Sequence, residues 1–188
     1  MNPLNPLRRS CSRRRCHVLA LDRIEDLVDA PPPPGIEVRV VTEADADRVR
    51  DFRDDGVVHI FRSGVVCSEP GVYAWKDGRV VGHFASYCWG VHGRNRRTGI
   101  ELERGDAWLH DGHVRDGLRG LGIFQAMIRA LTKALFADPD IRRVVSDVNV
   151  GDAASLAAHR KCGFRVLGEL RYLRALDIVL QRKFIPVP

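Results

Sequence analysis

The chain has 188 residues, 45% of them apolar and 29% charged, which suits one globular domain and excludes a disordered or collagen-like polypeptide. No apolar run approaches the ~18 residues that a membrane-spanning helix needs. The formal charge of +6 invites a nucleic-acid reading, but residues 1–16 hold Arg8, Arg9, Arg13, Arg14 and Arg15 and no acid, and the rest balances 25 basic against 24 acidic residues. A body so nearly neutral gives no ground to expect a nucleic-acid partner.

Residues 1–30 read as a basic N-terminal tail, with Leu19, Leu21, Ile24 and Leu27 able to form one short amphipathic segment packed on the body. A secretory signal is not matched, because Val18-Leu19-Ala20-Leu21 is cut off at once by Asp22 and Arg23. An Arg/Ser-rich transit peptide, a disordered tail and a start codon placed too early stay open. Cys11, Cys16 and His17 look like half of a metal site, but no second half appears, so no metal is expected. The five cysteines are odd in number and irregular in spacing, which points to free thiols and a reducing cytoplasm.

Pro31-Pro32-Pro33-Pro34-Gly35 is a stiff polyproline linker, leaving 36–188 as the body. Ile36, Val38 and Val40 alternate with polar residues as a strand does. Thr42-Glu43-Ala44-Asp45 resembles a capping box, opening a helix to about Arg53, and 56–68 is ambiguous. Val72–Trp75 and Arg79–Trp89 are strands joined through Asp77-Gly78, a hairpin signal. Residues 90–106 read as a loop or edge strand with Arg94, Arg96 and Arg97, followed by a strand from Ala107 to Val114. After Arg119-Gly120-Leu121-Gly122, a helix repeats Ile123, Met127, Leu131 and Leu135 every four residues and ends at Asp138-Pro139. Ile141–Val148 is a buried strand, and Asp152 caps a short helix to Lys161, with Gly163 just past its end. Phe164–Leu167 and Tyr172–Leu180 form a final strand pair. The order β-α-α-β-β-β-α-β-α-β-β describes an α/β (α+β) domain, a mixed central β-sheet flanked by helices.

The unit of strand, Arg-Gly-Leu-Gly and helix is an anion site in physical terms. Glycines let backbone N–H groups approach a ligand, the helix N-terminus adds positive potential, and Arg119 adds a charge. It is not a P-loop, since no Gly-Lys-Ser/Thr follows, and Gln125 stands where a dinucleotide fingerprint needs its third glycine. A second unit about thirty residues on, Asp152-Ala153-Ala154-Ser155 through His159 to Gly163-Phe164, follows in order. Together the two resemble the GCN5-related N-acetyltransferase (GNAT) superfamily over roughly residues 36–175. Phe124 replaces the small residue that ends the family's glycine motif, Asp152 stands for its Asn, and His159 for its Tyr.

The resemblance implies an acetyl-CoA-dependent N-acetyltransferase of GNAT fold, acting on a primary amine by direct attack in a ternary complex. The loop Arg119, Gly120, Leu121, Gly122, Ile123 and Phe124 would cradle the CoA pyrophosphate. The strand end His113, Val114 and Arg115 would pair with the pantetheine arm and polarise the thioester carbonyl, and Asp152 and Ser155 would line that arm. His159 would be the acid for the leaving thiolate, unless it is a structural histidine. His110 or Asp111 would be the base, directly or through water. Strict alternation would put His110 and Gly112 on one face and Asp111 and His113 on the other, a count that a bulge would change. Glu101, Glu103 and Asp106 are either an acidic mouth for a cationic amine or a solvated loop, and Trp75, Trp89 and Trp108 are expected in the core. No cysteine sits at an obvious covalent position, which disfavours a ping-pong route. The rival reading is a catalytically weak acyl-CoA-binding GNAT module acting as sensor or scaffold. The amine could be a small molecule or a protein amine, and a homodimer is open.

Overall fold

In the computed structural model the described residues are 11–88, 100, 102–175 and 178–187, so Arg94, Arg96, Arg97, Trp89 and Glu101 lie outside them. Eight strands form one sheet in the order β2-β3-β4-β5-β6-β1-β7-β8. They are β1 (Cys11–Leu21), β2 (Glu37–Val40), β3 (Gly71–Lys76), β4 (Arg79–Cys88), β5 (Asp106–Val114), β6 (Arg143–Asn149), β7 (Arg165–Ala175) and β8 (Ile178–Pro186). Three α-helices accompany them, α1 (Asp55–Val66), α2 (Ile123–Phe136) and α3 (Ala153–Lys161).

The order expected for 36–188 is present, with three differences, one being that Tyr172, expected to open the last strand, lies on β7, which runs to Ala175 before β8 begins at Ile178. The segment after β2 is a 3-10 helix, Glu43–Asp51, in which the Thr42 hydroxyl donates to Asp45 Oδ2 at 3.0 Å and no side chain caps the backbone. The ambiguous stretch is α1, whose N-cap Asp54 accepts from the Val57 N–H at 3.2 Å. The hairpin turn behaves as its sequence demands, with Asp77 and Gly78 both left-handed (φ +49° and +73°).

The N-terminal reading needs correction. Residues 11–21 are not a tail but an interior strand, antiparallel to β6 on one side and to β7 on the other. Cys16, Val18, Leu19, Ala20 and Leu21 are all buried. Nothing in local charge forbids this, because Arg13, Arg14 and Arg15 keep their side chains exposed and Arg15 chelates Glu169 at 2.7 and 2.8 Å. The segment 17–30 is therefore the end of a strand followed by a short 3-10 turn, Ile24–Asp26. The polyproline run does not divide two bodies. It joins two parts of one sheet and packs on the glycine loop, Pro33 Cγ lying 3.3 Å from where a Cβ on Gly122 would be.

One face of the sheet is covered by α2 and α3. Ile123, Met127, Leu131 and Leu135 meet Leu19, Leu21, Val81, Leu109 and Val144 there. The other face is covered by the 3-10 helix and α1 over β2–β4, and carries Cys16, Val18, Val145 and Leu170 beyond them. Among the described residues the one parallel pair, β5 with β6, joins Asp106–Leu109 to Arg143–Ser146 and then stops. Past Leu109 and Ser146 the two strands no longer pair, and the candidate site lies at that fork.

Candidate active site

The glycine loop builds the first half of the site. Gly117, Gly120 and Gly122 all hold left-handed φ (+82°, +79°, +83°), which few other residues adopt without strain. Gly122 is the N-cap of α2 and offers no capping side chain, so the first amides of that helix stay available to an anion. A cavity of about 370 Å³ opens over the loop, lined by His113, Val114, Arg119, Gly120, Gly122, Ile123, Phe124, Asp152 and Ser155. The Arg115 N–H is donated to Val81 O across β4 at 2.8 Å. Alternation along the strand then turns the Val114 N–H the other way, toward the fork.

Two of the expected cofactor residues stand apart. The Arg115 guanidinium lies over the Phe52 ring, 5.0 Å from its centroid, and donates to Asp51 O at 3.3 Å. Leu121 is 56% exposed on the loop and lines neither cavity. Arg119 remains at the rim, paired with Asp116 at 2.8 Å.

The departures from the family motif have local explanations. Phe124 packs against Phe84, with centroids 5.2 Å apart, directly over Gly112. A Cβ on Gly112 would fall 2.6 Å from Phe124 Cε2, so the missing side chain on β5 makes room for the large ring. Asp152 accepts the Ser155 N–H at 2.9 Å as N-cap of α3, a duty that Asp and Asn perform alike.

His159 is buried, with Nδ1 2.9 Å from Ser155 O and Nε2 3.0 Å from Ser146 Oγ. A carbonyl can only accept, so the proton sits on Nδ1 and Ser146 donates to Nε2. Burial pushes the imidazole down to about 4. A neutral ring with both nitrogens engaged is a poor proton donor at neutral pH, and this geometry supports the structural reading of His159 over the acid reading.

On β5 the register steps from His110↔Ala85 to His113↔His83, which is a bulge, and Asp111 carries its positive φ (+52°). The bulge changes the strict alternation. His110 and His113 share one face, while Gly112 turns to the other, beneath Phe84 and Phe124. His110 packs on Tyr87 and Trp108 (centroids 4.0 and 4.8 Å), and His113 stacks with the buried His83 at 5.9 Å. Burial, with Arg53 second, holds His113 below its ordinary value and pushes His83 down to about 3. Arg53 also faces Asp111, at 3.9 Å.

The second half of the site is a cavity of about 370 Å³ at the fork. Phe84, Phe124, Ser146 and His159 line it from the helix-covered face, and Trp108, His110, Asp147 and Tyr172 from the other. It shares Gly112, Phe124, Asp152 and Ser155 with the glycine-loop cavity. The two cavities therefore adjoin at the fork, which brings the expected loop, Asp152, Ser155, His159, His110 and Asp111 close together.

Sequence reasoning missed Asp147. Its signal is a carboxylate inside the apolar run Val144-Val145-Ser146-Asp147-Val148. Of the acids weighed as a mouth or a solvated loop, Glu103 and Asp106 lie away from this cavity. Asp106 is 3% exposed, binds Arg143 at 2.8 and 2.6 Å and accepts the Glu103 N–H, so it locks the turn at the opposite end of β5. Trp75 is core, as expected, whereas Trp108, though buried, also forms a wall of the fork. Among the described residues no group of three His, Cys, Asp or Glu side chains is arranged to hold a metal ion.

The profile of the acetyltransferase (GNAT) domain matches residues 77–172, just over half of the chain. The chain belongs to the GNAT acetyltransferase family. No curated protein matches it. Among solved structures, a GNAT-family acetyltransferase from Colwellia psychrerythraea is similar with a TM-score of 0.63 and 12% identity, over 87% of this chain and 56% of that one. A Drosophila protein gives 0.63 and 12%, over 89% and 52%. This chain thus spans about half the length of those two relatives. AAC(6')-Iy, in complex with the bisubstrate analog CoA-S-monomethyl-acetylneamine, gives 0.53 and 16%, over 69% of this chain and 90% of that one. At such identities the likeness speaks for the GNAT fold, which the sheet and helices here share. No helix among the described residues is long and apolar enough to cross a membrane.

Proposed function

We propose that this GNAT domain is an acetyl-CoA-dependent N-acetyltransferase that transfers the acetyl group to a primary amine by direct attack. The observation that carries the reading is the pair of adjoining cavities at the β5–β6 fork, one over the glycine loop and one reaching Trp108 and His110 on the opposite face of the sheet. The CoA pyrophosphate would lie on the amides of the loop and the N-terminus of α2. The pantetheine arm would run between the separated strands past Asp152 and Ser155. The thioester would then end between Gly112, Phe124 and Ser146, with backbone N–H groups of β5 as donors to the developing oxyanion.

The amine enters from the Trp108 and His110 side. An alkylamine has a pKa near ~10, so it must lose a proton before it attacks. His110 lines the cavity on that side and is our choice of base, because its imidazole faces the space where the amine would arrive. Asp111, beside Arg53, holds the bulge that aims His110. The nitrogen bonds to the carbonyl carbon, the C–S bond breaks, and the CoA thiolate, of intrinsic pKa around ~8.5, leaves and takes a proton from water. The unpaired thiols Cys16, Cys67, Cys88 and Cys162 fit the reducing cytoplasm expected for such an enzyme.

Calorimetric titration with acetyl-CoA, followed by thiol release across a panel of primary amines, tests the reading. We expect saturable binding and amine-dependent release of CoA, with kcat cut at least tenfold in His110→Ala. Failure to bind acetyl-CoA overturns it. Binding without turnover on any amine favours the acyl-CoA-binding module instead.

A further inference from the structure

We propose that Asp147 is the acceptor-recognition residue of this fork, and that the acceptor is a small primary amine, or an amine side chain, bound as its ammonium ion against Asp147 with its carbon body along Trp108 and Tyr172. This deepens the acetyltransferase reading and rests on it.

Asp147 stands where a strand has no structural use for a charge. Its neighbours Val144, Val145, Ser146 and Val148 are all at most 3% exposed. An ionised carboxylate in such surroundings is costly unless something compensates it. What the protein supplies is neutral. The Trp108 Nε1–H donates to Oδ1 at 2.8 Å, and the Cys16 thiol, kept protonated by burial, is the other neutral group that acts on it. Among the described residues Asp147 makes no ion pair. Burial accordingly raises its carboxyl to about 6. Among the described residues no cation compensates that carboxylate.

That anion lines the fork cavity on the face away from the helices, where the amine has to arrive. The wall beside it is aromatic, with Trp108 packed on His110 at 4.8 Å and Tyr172 across from them. An ammonium supplies the missing charge, and aromatic walls suit its carbon body and attract the cation. The fork cavity of about 370 Å³, part of which the thioester would occupy, suits a small amine or a single side chain. The other charged or titratable groups facing it are His110, Asp111 beside Arg53, Asp152 at its cap, His159, and Arg14 exposed at the rim.

The test uses the full chain, the isosteric variant Asp147→Asn, and two probe pairs of equal shape: 2-phenylethylamine with 2-phenylethanol, and n-hexylamine with n-hexanol. Binding is read from tryptophan fluorescence and transfer from thiol release, after acetyl-CoA has been titrated alone. We expect the wild type to hold each amine at least tenfold more tightly than its alcohol. We expect Asp147→Asn to lose that preference, raising amine KM roughly 30-fold or more, while acetyl-CoA affinity is unchanged. In the wild type, amine KM rises as pH falls through about 6, where the carboxyl takes a proton while the amine stays charged. That KM effect is separable from any kcat effect of His110, and it needs no variant to fold. Equal affinity for amine and alcohol in the wild type, an amine KM within twofold of wild type in Asp147→Asn, or no amine binding beside intact acetyl-CoA binding overturns the proposal. Loss of acetyl-CoA binding by the wild type would instead overturn the acetyltransferase reading beneath it.

Discussion

Replacing Leu19 by alanine removes three carbons from the middle of the sheet. Leu19 is 0% exposed and lies opposite Ser146 of β6 and Val166 of β7, within the main apolar cluster. A buried Leu→Ala change costs about 2.7–5 kcal/mol, the lost transfer energy plus the cavity left behind. For a domain of this size each kcal/mol lowers Tm by roughly 2–4 °C, so the variant should melt roughly 6–20 °C below wild type. Arg13→Ala, an exposed position on the same strand, should stay within about 0.5 kcal/mol and serves as the control. Thermal unfolding followed by circular dichroism reads both. Deleting residues 1–21 is the stronger form, since it strips β1 from between β6 and β7 and exposes two strand edges at once. A Tm for Leu19→Ala within about 2 °C of wild type, or an N-terminal deletion that melts like the full chain, would refute the placement of β1.

His159→Phe should lower stability by about 1–3 kcal/mol at pH 7, because Ser146 Oγ and Ser155 O lose their partner. It should also flatten the acid limb: folded His159 sits near 4, the unfolded chain takes the proton first near ~6.5, and wild-type stability therefore falls between those values while the variant's falls less. Equal slopes in the two proteins would contradict this. Gly112→Ala places a Cβ 2.6 Å from Phe124 and 2.8 Å from Phe84, so Tm and acetyl-CoA affinity should drop together by about 1–3 kcal/mol of overpacking, and adding Phe124→Ala should recover the affinity. Arg119→Ala should weaken acetyl-CoA only about fivefold or less, with reduced salt dependence, since its charge is largely exposed and already shared with Asp116.

The parts legible in the sequence were those fixed by local chemistry. Four-residue apolar spacing marked α2, Asp152 marked the start of α3, and Gly120 and Gly122 marked the loop. β1 was hidden because strand pairing is set by distant partners. Leu19 finds Ser146 and Val166 more than a hundred residues away, and five arginines around the segment suggest a solvated tail when read alone. The polyproline run misled for a related reason, since stiffness says nothing of what lies on either side of it. In the site, the bulge at Asp111 could not be placed from alternation, and it decides which face His110 serves. Asp147 was passed over because its surroundings, Trp108 and Cys16, come from two other strands.

These placements bear on how protons move at the fork. In this chain the residue at the position of the family's acid is a neutral histidine, locked between Ser146 and Ser155 on the helix-covered side. His110 and Asp147 lie across the fork on the opposite side. Apart from Asp152, which caps α3, the groups able to handle a proton or a cation would therefore be gathered where the amine is proposed to arrive, and the thioester side is lined by Phe84, Phe124 and a serine that donates to His159. Such a division favours a transfer driven by making the nucleophile. On the proposed reading the amine would be held charged, give its proton to His110 and attack, and the thiolate, the better leaving group at an intrinsic pKa of ~8.5, would depart without a dedicated acid.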